Sequence, residues 1–233
     1  MSDTRPVISV IVPVYNGESF LAEALESIAA QAYAPLQVLV VDDGSTDESA
    51  AVAARCAGIT VLQQPHRGLN SALNHGLHCA VGDFITFLDA DDRWLPGKLA
   101  RQLAALQQNP AADMVFGQAR QFTGQQTADD PTVVYTDPQP AYSKITLMAR
   151  HTVFQQIGGF DESGLTHDFL DWFARARQAG LQTLLLPDLL AERRIHATNY
   201  GRTNQAELQR SYLHTLRAVV QQRRQSTETP TND

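Results

Sequence analysis

The sequence is short of cysteine, of long apolar runs and of basic charge, and each shortage closes off a class of protein. Its 233 residues include two cysteines. Cys56 and Cys79 stand apart in helix-like stretches, so neither a CxxC redox pair nor a zinc site has its ligands, and both thiols are expected to be buried. No apolar run approaches the roughly 20 residues that cross a bilayer, and the opening MSDTRP lacks the apolar core of a signal peptide. With so little cysteine, these absences predict a cytoplasmic protein with no transmembrane segment. Lys and Arg total 18 against 25 acidic residues, a net charge of -7, which repels a nucleic-acid backbone. Arg193-Arg194 and Arg223-Arg224 form no basic face, so no nucleic-acid partner is expected.

Two phosphate-binding signatures are also missing. After the first apolar run the chain has Pro13-Val14-Tyr15-Asn16-Gly17 where a dehydrogenase needs GxGxxG, and no GxxxxGK[ST] occurs. A sugar nucleotidyltransferase would carry a Gly-rich loop and a Lys or Arg beside that run, and neither is there.

What is present is a 43% hydrophobic chain, long enough for one α/β domain. The expected domain is 1–224, with a nucleotide-binding half at about 1–100, an acceptor half at about 101–224, and a disordered tail at 225–233. Val7 to Val14, Leu36 to Val41 and Phe84 to Leu88 are nearly all apolar and read as parallel strands covered on both faces, with another strand at Ile59 to Leu62. Between them, Phe20, Leu21, Ala24, Leu25, Ile28 and Ala29 share a helical face. Ser45-Thr46-Asp47 offers an N-cap for a helix through Arg55, and another helix runs from about Asn70 to Cys79. This alternation predicts a doubly wound, mostly parallel sheet flanked by helices. Beyond it come a helix opened by Pro96, a strand from Met114 to Phe122 and a polar connection from Thr123 to Pro140. A helix from Asp168 to Ala179 and a last strand from Thr183 to Leu186 follow. The terminal helix, with Leu208, Tyr212, Leu216 and Val219 on one side, fits either a homodimer contact or a cover for the sheet. Trp94 and Trp172 read as packing aromatics, Trp94 alternatively as a border of an acceptor opening.

In open α/β sheets ligands sit beyond the carboxyl ends of the strands. Here two such ends are acidic: Asp42-Asp43 and Asp89-Ala90-Asp91-Asp92. Five carboxylates near one edge either raise each other's pKa or gather a metal, and oxygen ligands suit Mg²⁺ or Mn²⁺ rather than zinc. Tyr15 is placed to stack on a base, and Asn16 either to hydrogen-bond it or to fix a turn.

Pro13-Val14-Tyr15-Asn16-Gly17, Val41-Asp42-Asp43-Gly44-Ser45-Thr46-Asp47 and Leu88-Asp89-Ala90-Asp91-Asp92, in this order and spacing, resemble the family 2 glycosyltransferases. Gly158-Gly159-Phe160-Asp161-Glu162 is similar to that family's GGFDE turn and Arg194-Ile195-His196 to its R-x-H element, so the resemblance spans roughly Val7 to Tyr200. It implies a GT-A fold, a nucleotide-sugar donor with UDP foremost, a divalent cation (Mn²⁺ or Mg²⁺) and inversion at the anomeric carbon. Carried over by position, Pro13, Tyr15 and Asn16 would line the base, Asp43 would accept a hydrogen bond from it, and Asp89, Ala90 and Asp91 would form the D-x-D. Asp91 and Asp92 are rivals for the metal, with His196 completing that site. Thr166-His167-Asp168 matches the family's acidic element, making Asp168 the catalytic base with His167 replacing a glutamate; Asp171 stands in reserve. Leu73 replaces a common arginine, so Arg67, with Asn70 nearby, would serve the donor. The acceptor's class, whether saccharide, lipid-linked, peptide or small molecule, has no mark in the sequence. The alternative is a catalytically silent nucleotide-binding or scaffold protein of the same fold.

Overall fold

The computed structural model describes residues 5–123, 133–163 and 168–196. The expected terminal helix, the tail and the pair Thr166-His167 lie outside the described residues. Strands β1 (Ile8–Val14), β2 (Leu36–Asp42), β3 (Ile59–Gln63) and β4 (Phe84–Phe87) alternate with helices α1 (Glu18–Ala29), α2 (Ser49–Ala54) and α3 (Leu69–Cys79). Then follow β5 (Arg93–Trp94), α4 (Lys98–Gln108), β6 (Met114–Thr123), β7 (Val134–Tyr135), β8 (Gln139–Ala141), β9 (Met148–Arg150), α5 (His151–Ile157), α6 (Asp168–Gln178) and β10 (Thr183–Ile195).

One sheet holds all of these strands in the order β3-β2-β1-β4-β9-β6-β10-β5, with β7 and β8 paired along β6. β1 to β4 are parallel, as helical crossovers require, and β10 lies parallel to β6. β9 runs antiparallel between β4 and β6, and β5 runs antiparallel to β10. Strands β1 to β4 therefore form a purely parallel stretch, and the remainder of the sheet is mixed.

The apolar strands are buried on both faces, and the period-two alternation sorts their side chains. Val10, Val12 and Val14 join Leu21 and Leu25 of α1 and Leu99 of α4 in one core. Ile11, Leu39 and Val41 join Leu73 of α3, Phe154 of α5 and Trp172 of α6 in the other. Trp172 is fully buried and stacks on Phe154 with centroids 4.9 Å apart.

Several sequence expectations change. The last strand is not confined to Thr183–Leu186 but continues to Ile195, passing Pro187 through register shifts between Leu185 and Ala191. A residue without an N–H is tolerated at such a bulge. Ser45-Thr46-Asp47 does not cap a helix through Arg55, because α2 starts only at Ser49 and ends at Ala54. Ser45 and Thr46 bond the loop after β1, while Asp47, one residue before the N-cap Glu48, accepts from Glu18 N with Oδ2 and from Ser49 N at the start of α2 with Oδ1. The connection after Thr123 carries two short strands, β7 and β8. Trp94 is 3% exposed and donates its Nε1–H to the Ile145 carbonyl, so it packs and does not border an opening. Cys56 and Cys79 are free and only half-buried.

α4 carries an unexpected burden. Lys98 is fully buried, donating to Thr86 Oγ1 at 3.0 Å and lying 4.0 Å above the Trp94 ring. Burial pushes its amine well below the usual lysine value of 10.5. The unfolded chain thus binds more protons than the folded one between the lowered pKa and the ordinary one, and stability should rise with pH through that window. Lys98→Met is expected to raise the melting temperature at neutral pH and flatten this slope, read from melts across pH. An unchanged slope would mean that Lys98 is not its source.

Candidate active site

The site is built from loops at the carboxyl ends of β1, β2, β3, β4 and β10. The loop after β1 is stitched to the loop after β2. Asn16 N donates to Ser45 Oγ at 3.0 Å, Gly17 N to Ser49 Oγ at 2.9 Å and Glu18 N to Asp47 Oδ2 at 3.0 Å. Asn16 Oδ1 accepts from Thr46 N at 2.8 Å, while its backbone takes φ 50°. Of the two roles open to Asn16, the turn is the one its carbonyl fills here. The turn sits close above the D-x-D segment, since a Cβ added at Gly17 would lie 3.5 Å from Ala90 Cβ. Tyr15, next to it, is 49% exposed, with the His66 ring stacked on it. Pro13 is buried in β1 beneath them.

Asp42 and Asp43, at the end of β2, are both 3% exposed. Asp42 Oδ1 accepts from Ser45 N at 2.9 Å, which folds the turn. Asp43 is enclosed by the loop after β3: Oδ1 accepts from Arg67 N (2.9 Å) and Gln64 Nε2 (2.7 Å), and Oδ2 from Gly68 N (2.8 Å). His66 Nδ1 lies 2.8 Å from that Oδ2. These donors offset the cost of burying the carboxylate. Arg67 reaches Asp43 through its backbone, and its side chain is exposed.

The acids after β4 separate into two kinds. Asp92 is 3% exposed, and its Oδ1 accepts from Arg194 N at 2.8 Å. Burial first, then the Asp91 and Asp89 carboxylates, push its carboxyl well above the usual range. Asp91 keeps 28% of its side chain exposed and places Oδ2 2.9 Å from His196 Nε2. Asp89 is half-buried. Hence the five acids do not form one open cluster, because three are turned inward and given protein donors.

Arg194 ties this region together. It is 2% exposed, its Nε donates to the Asp91 carbonyl at 3.1 Å, and its guanidinium pairs with Glu23. It also lies 4.4 Å from the Phe122 ring centroid and 4.9 Å from that of Phe20. Phe20 in turn contacts His196, with centroids 4.7 Å apart. Phe20 and Glu23 lie one helical turn apart on α1, so this helix braces both the end of β10 and the acidic loop. Arg93 and Arg120 hold the fully buried Glu192 on the same strand.

The GGFDE turn is gripped from two helices. Asn74 of α3 donates to the Phe160 carbonyl and accepts from Phe160 N, both at 2.8 Å, and Asn70 donates to the Asp161 carbonyl at 2.5 Å. Gly159 leaves room for this approach, since any side chain there would collide with Asn74 Oδ1. From α6, Trp172 Nε1 donates to Gly158 O at 3.2 Å and Arg175 to Gly159 O at 2.6 Å, while Asp171 holds Arg175 at 2.9 Å. Asp168 is the first residue of α6.

The structure thus gathers Tyr15, Asn16, Asp43, Arg67, Ala90, Asp91 and His196 at one sheet edge, and turns Asp92 inward. Asn70 reaches the GGFDE turn. Sequence reasoning missed Glu23, Asn74 and Arg175. The first had a signal, an acid one turn after an aromatic on an amphipathic helix, but its partner lies 171 positions away. Among the described residues, no three His, Cys, Asp or Glu side chains already form a cation cage, and no helix is long and apolar enough to cross a membrane.

Comparison with known proteins agrees with this architecture. The profile described as Glycosyl transferase family 2 matches residues 9–164. A protein named as an uncharacterized glycosyltransferase, from Rickettsia prowazekii, is 31% identical over 225 residues, covering 87% of this chain and 69% of that one. A second, from Rickettsia typhi, is 30% identical over 189 residues, covering 72% and 58%. Among solved structures, mannosyltransferase PcManGT from Pyrobaculum calidifontis, in complex with GDP-Man and Mn²⁺, superposes with a TM-score of 0.73 at 22% identity, covering 93% of this chain and 65% of its own. S. aureus TarS 1-349 in complex with UDP-GlcNAc gives 0.67 at 22%, covering 83% and 60%. The chain belongs to glycosyltransferase family 2, and its fold is of the GT-A type. It spans 69% and 58% of the two curated relatives and 60–65% of the two solved chains.

Arg194→Met should destabilise the protein by about 2 kcal/mol, below the usual cost of breaking a fully buried pair, because Glu23 keeps Arg93 and some solvent. Denaturant unfolding checks this, and a change under 0.5 kcal/mol would remove Arg194 from its central place (roughly the spread of ordinary surface substitutions).

Proposed function

We propose that this protein transfers a sugar from a nucleoside diphosphate donor, UDP foremost, to an acceptor hydroxyl, with inversion and with Mn²⁺ or Mg²⁺ assisting. The observation that carries this reading is the meeting of a base-sized aromatic face (Tyr15), a buried acceptor (Asp43) and a part-exposed acid–imidazole pair (Asp91 and His196) along one sheet edge. Solved chains of the same fold hold GDP-Man with Mn²⁺ and UDP-GlcNAc.

The residues fit a cation. Asp91 Oδ2 and His196 Nε2 converge at 2.9 Å with solvent access, and Mn²⁺ accepts such oxygen and nitrogen donors. Mg²⁺ and Mn²⁺ sites commonly take one or two carboxylates and complete themselves with water and substrate phosphates, so a ready-made cage is not required. Asp91 and His196 would hold the ion, which when bound offsets charge on the departing diphosphate. Asp92 serves instead to fix the loop to β10.

Tyr15 stacks the base, and the fixed turn at Asn16 and Gly17 holds that ring in place. Asp168, at the start of α6, takes the acceptor's proton as its oxygen attacks the anomeric carbon. Asp171 is less suited to this step because Arg175 already occupies it. The described part of the chain forms one such unit, with 1–100 serving the donor and the remainder the acceptor.

Asp168→Asn is expected to leave donor affinity unchanged and lower turnover about 10²–10⁴-fold, the usual contribution of a positioned base. Full retention of turnover would transfer the role to Asp171. Asp91→Ala should weaken both metal-dependent donor binding, followed by calorimetry, and transfer; unchanged binding would exclude it as a ligand.

A further inference from the structure

His66 is not used in the reading above, yet it lies inside the site. Its imidazole stacks on the Tyr15 ring, with centroids 4.0 Å apart and planes 23° from parallel. Its Nδ1 is 2.8 Å from Asp43 Oδ2 and 3.1 Å from the Asp43 carbonyl oxygen. Both neighbours only accept, so the proton sits on Nδ1 and is donated to them. A flat heterocycle lying on Tyr15 and giving a ring N–H to Asp43 offers the same two features as a uracil, thymine or guanine base.

We propose that His66 fills the base position in the free protein and that the donor's base displaces it. The proposal rests on the nucleotide-sugar reading and adds a rule of base choice to it. The buried Asp43 carboxylate cannot be left short of a donor without cost. A base that returns a ring N–H in place of the imidazole's is therefore favoured over one that presents a lone pair there. Uracil and thymine N3–H and guanine N1–H do so, whereas cytosine N3 and adenine N1 present a lone pair to a carboxylate.

The loop lets the side chain leave without unravelling. The His66 side chain is 54% exposed, so swinging it out gives up little packing. The loop backbone is held independently, by Arg67 N and Gly68 N on Asp43. Gly44 backs it closely: at φ 76°, a Cβ there would stand 2.8 Å from His66 N. Anchored backbone and outward-facing ring make a plug that moves by side-chain rotation alone.

A competitor seated in the slot weakens apparent affinity by the fraction of time that the slot is open. If the imidazole occupies it for nine-tenths of the time, His66→Ala should tighten UDP binding about tenfold. Isothermal titration of UDP and CDP into the wild type, His66→Ala and His66→Phe reads this directly. His66→Phe keeps the stack but not the N–H, and is expected to fall between the other two, with UDP preferred over CDP throughout. In the wild type, UDP should also shift the His66 ring-nitrogen resonances by NMR. Weaker or equal UDP binding by His66→Ala, or a preference for CDP, overturns the proposal and leaves the donor site standing. Failure of UDP, GDP, dTDP and CDP to bind any of the three proteins overturns the nucleotide-sugar reading itself.

Discussion

The ends of β1, β2 and β3 depend on one buried carboxylate. Asp43 sits at the end of a strand covered on both faces, and a carboxylate withdrawn from water persists there only if its oxygens are given donors. The loop after β3 bends around it to supply them. In doing so it fixes where α3 begins, because Gly68, its N-cap, is one of the donors. Asp43 N also donates to the Val14 carbonyl at 2.9 Å, and Gln64 N to Asp42 O at 3.0 Å. The ends of β1, β2 and β3 are thereby locked to one another, and Tyr15 lies half-exposed beside the lock with His66 stacked on it.

Strand β10 is joined to this frame by a second buried acid. Asp92 leaves the acidic loop and accepts from Arg194 near the end of β10, a bond between residues 102 positions apart. Arg194 returns to the same loop through Asp91 O and to α1 through Glu23. His196, two residues on, therefore reaches Asp91 as a consequence of how β10 is held. The same logic recurs at the GGFDE turn, where Asn70 and Asn74 from α3 and Trp172 and Arg175 from α6 share its carbonyls. Helices α3 and α6 thus hold this turn between them.

The parallel strands β1 to β4 were legible because full burial on both faces leaves an almost unbroken apolar run. β10 was legible only as far as Leu186. Beyond it, Pro187, Asp188, Glu192, Arg193 and Arg194 look like surface, and Glu192 and Arg194 become core only through partners on β5, β6 and α1. The acidic strand ends were visible as positions, and the ordered motifs brought them under one family. Which neighbouring acid turns inward was not visible, because Asp92 is selected by a backbone N–H that no local pattern announces. Asn16 was left between two roles for a similar reason, its answer lying in Thr46. His66 went unnoticed because a histidine in a polar loop carries no signal until Tyr15 and Asp43 are seen on either side of it.

The central claim is that the Asp43, Asp91 and His196 edge is a metal-assisted nucleotide site. Thermal stability with UDP, GDP, dTDP and CDP, each with and without Mn²⁺, tests it most directly, since a ligand at about a hundred times its dissociation constant adds roughly 2.7 kcal/mol to the folded state. The account predicts a rise in melting temperature with UDP that depends on Mn²⁺. No rise with any nucleotide, with or without the ion, would contradict it.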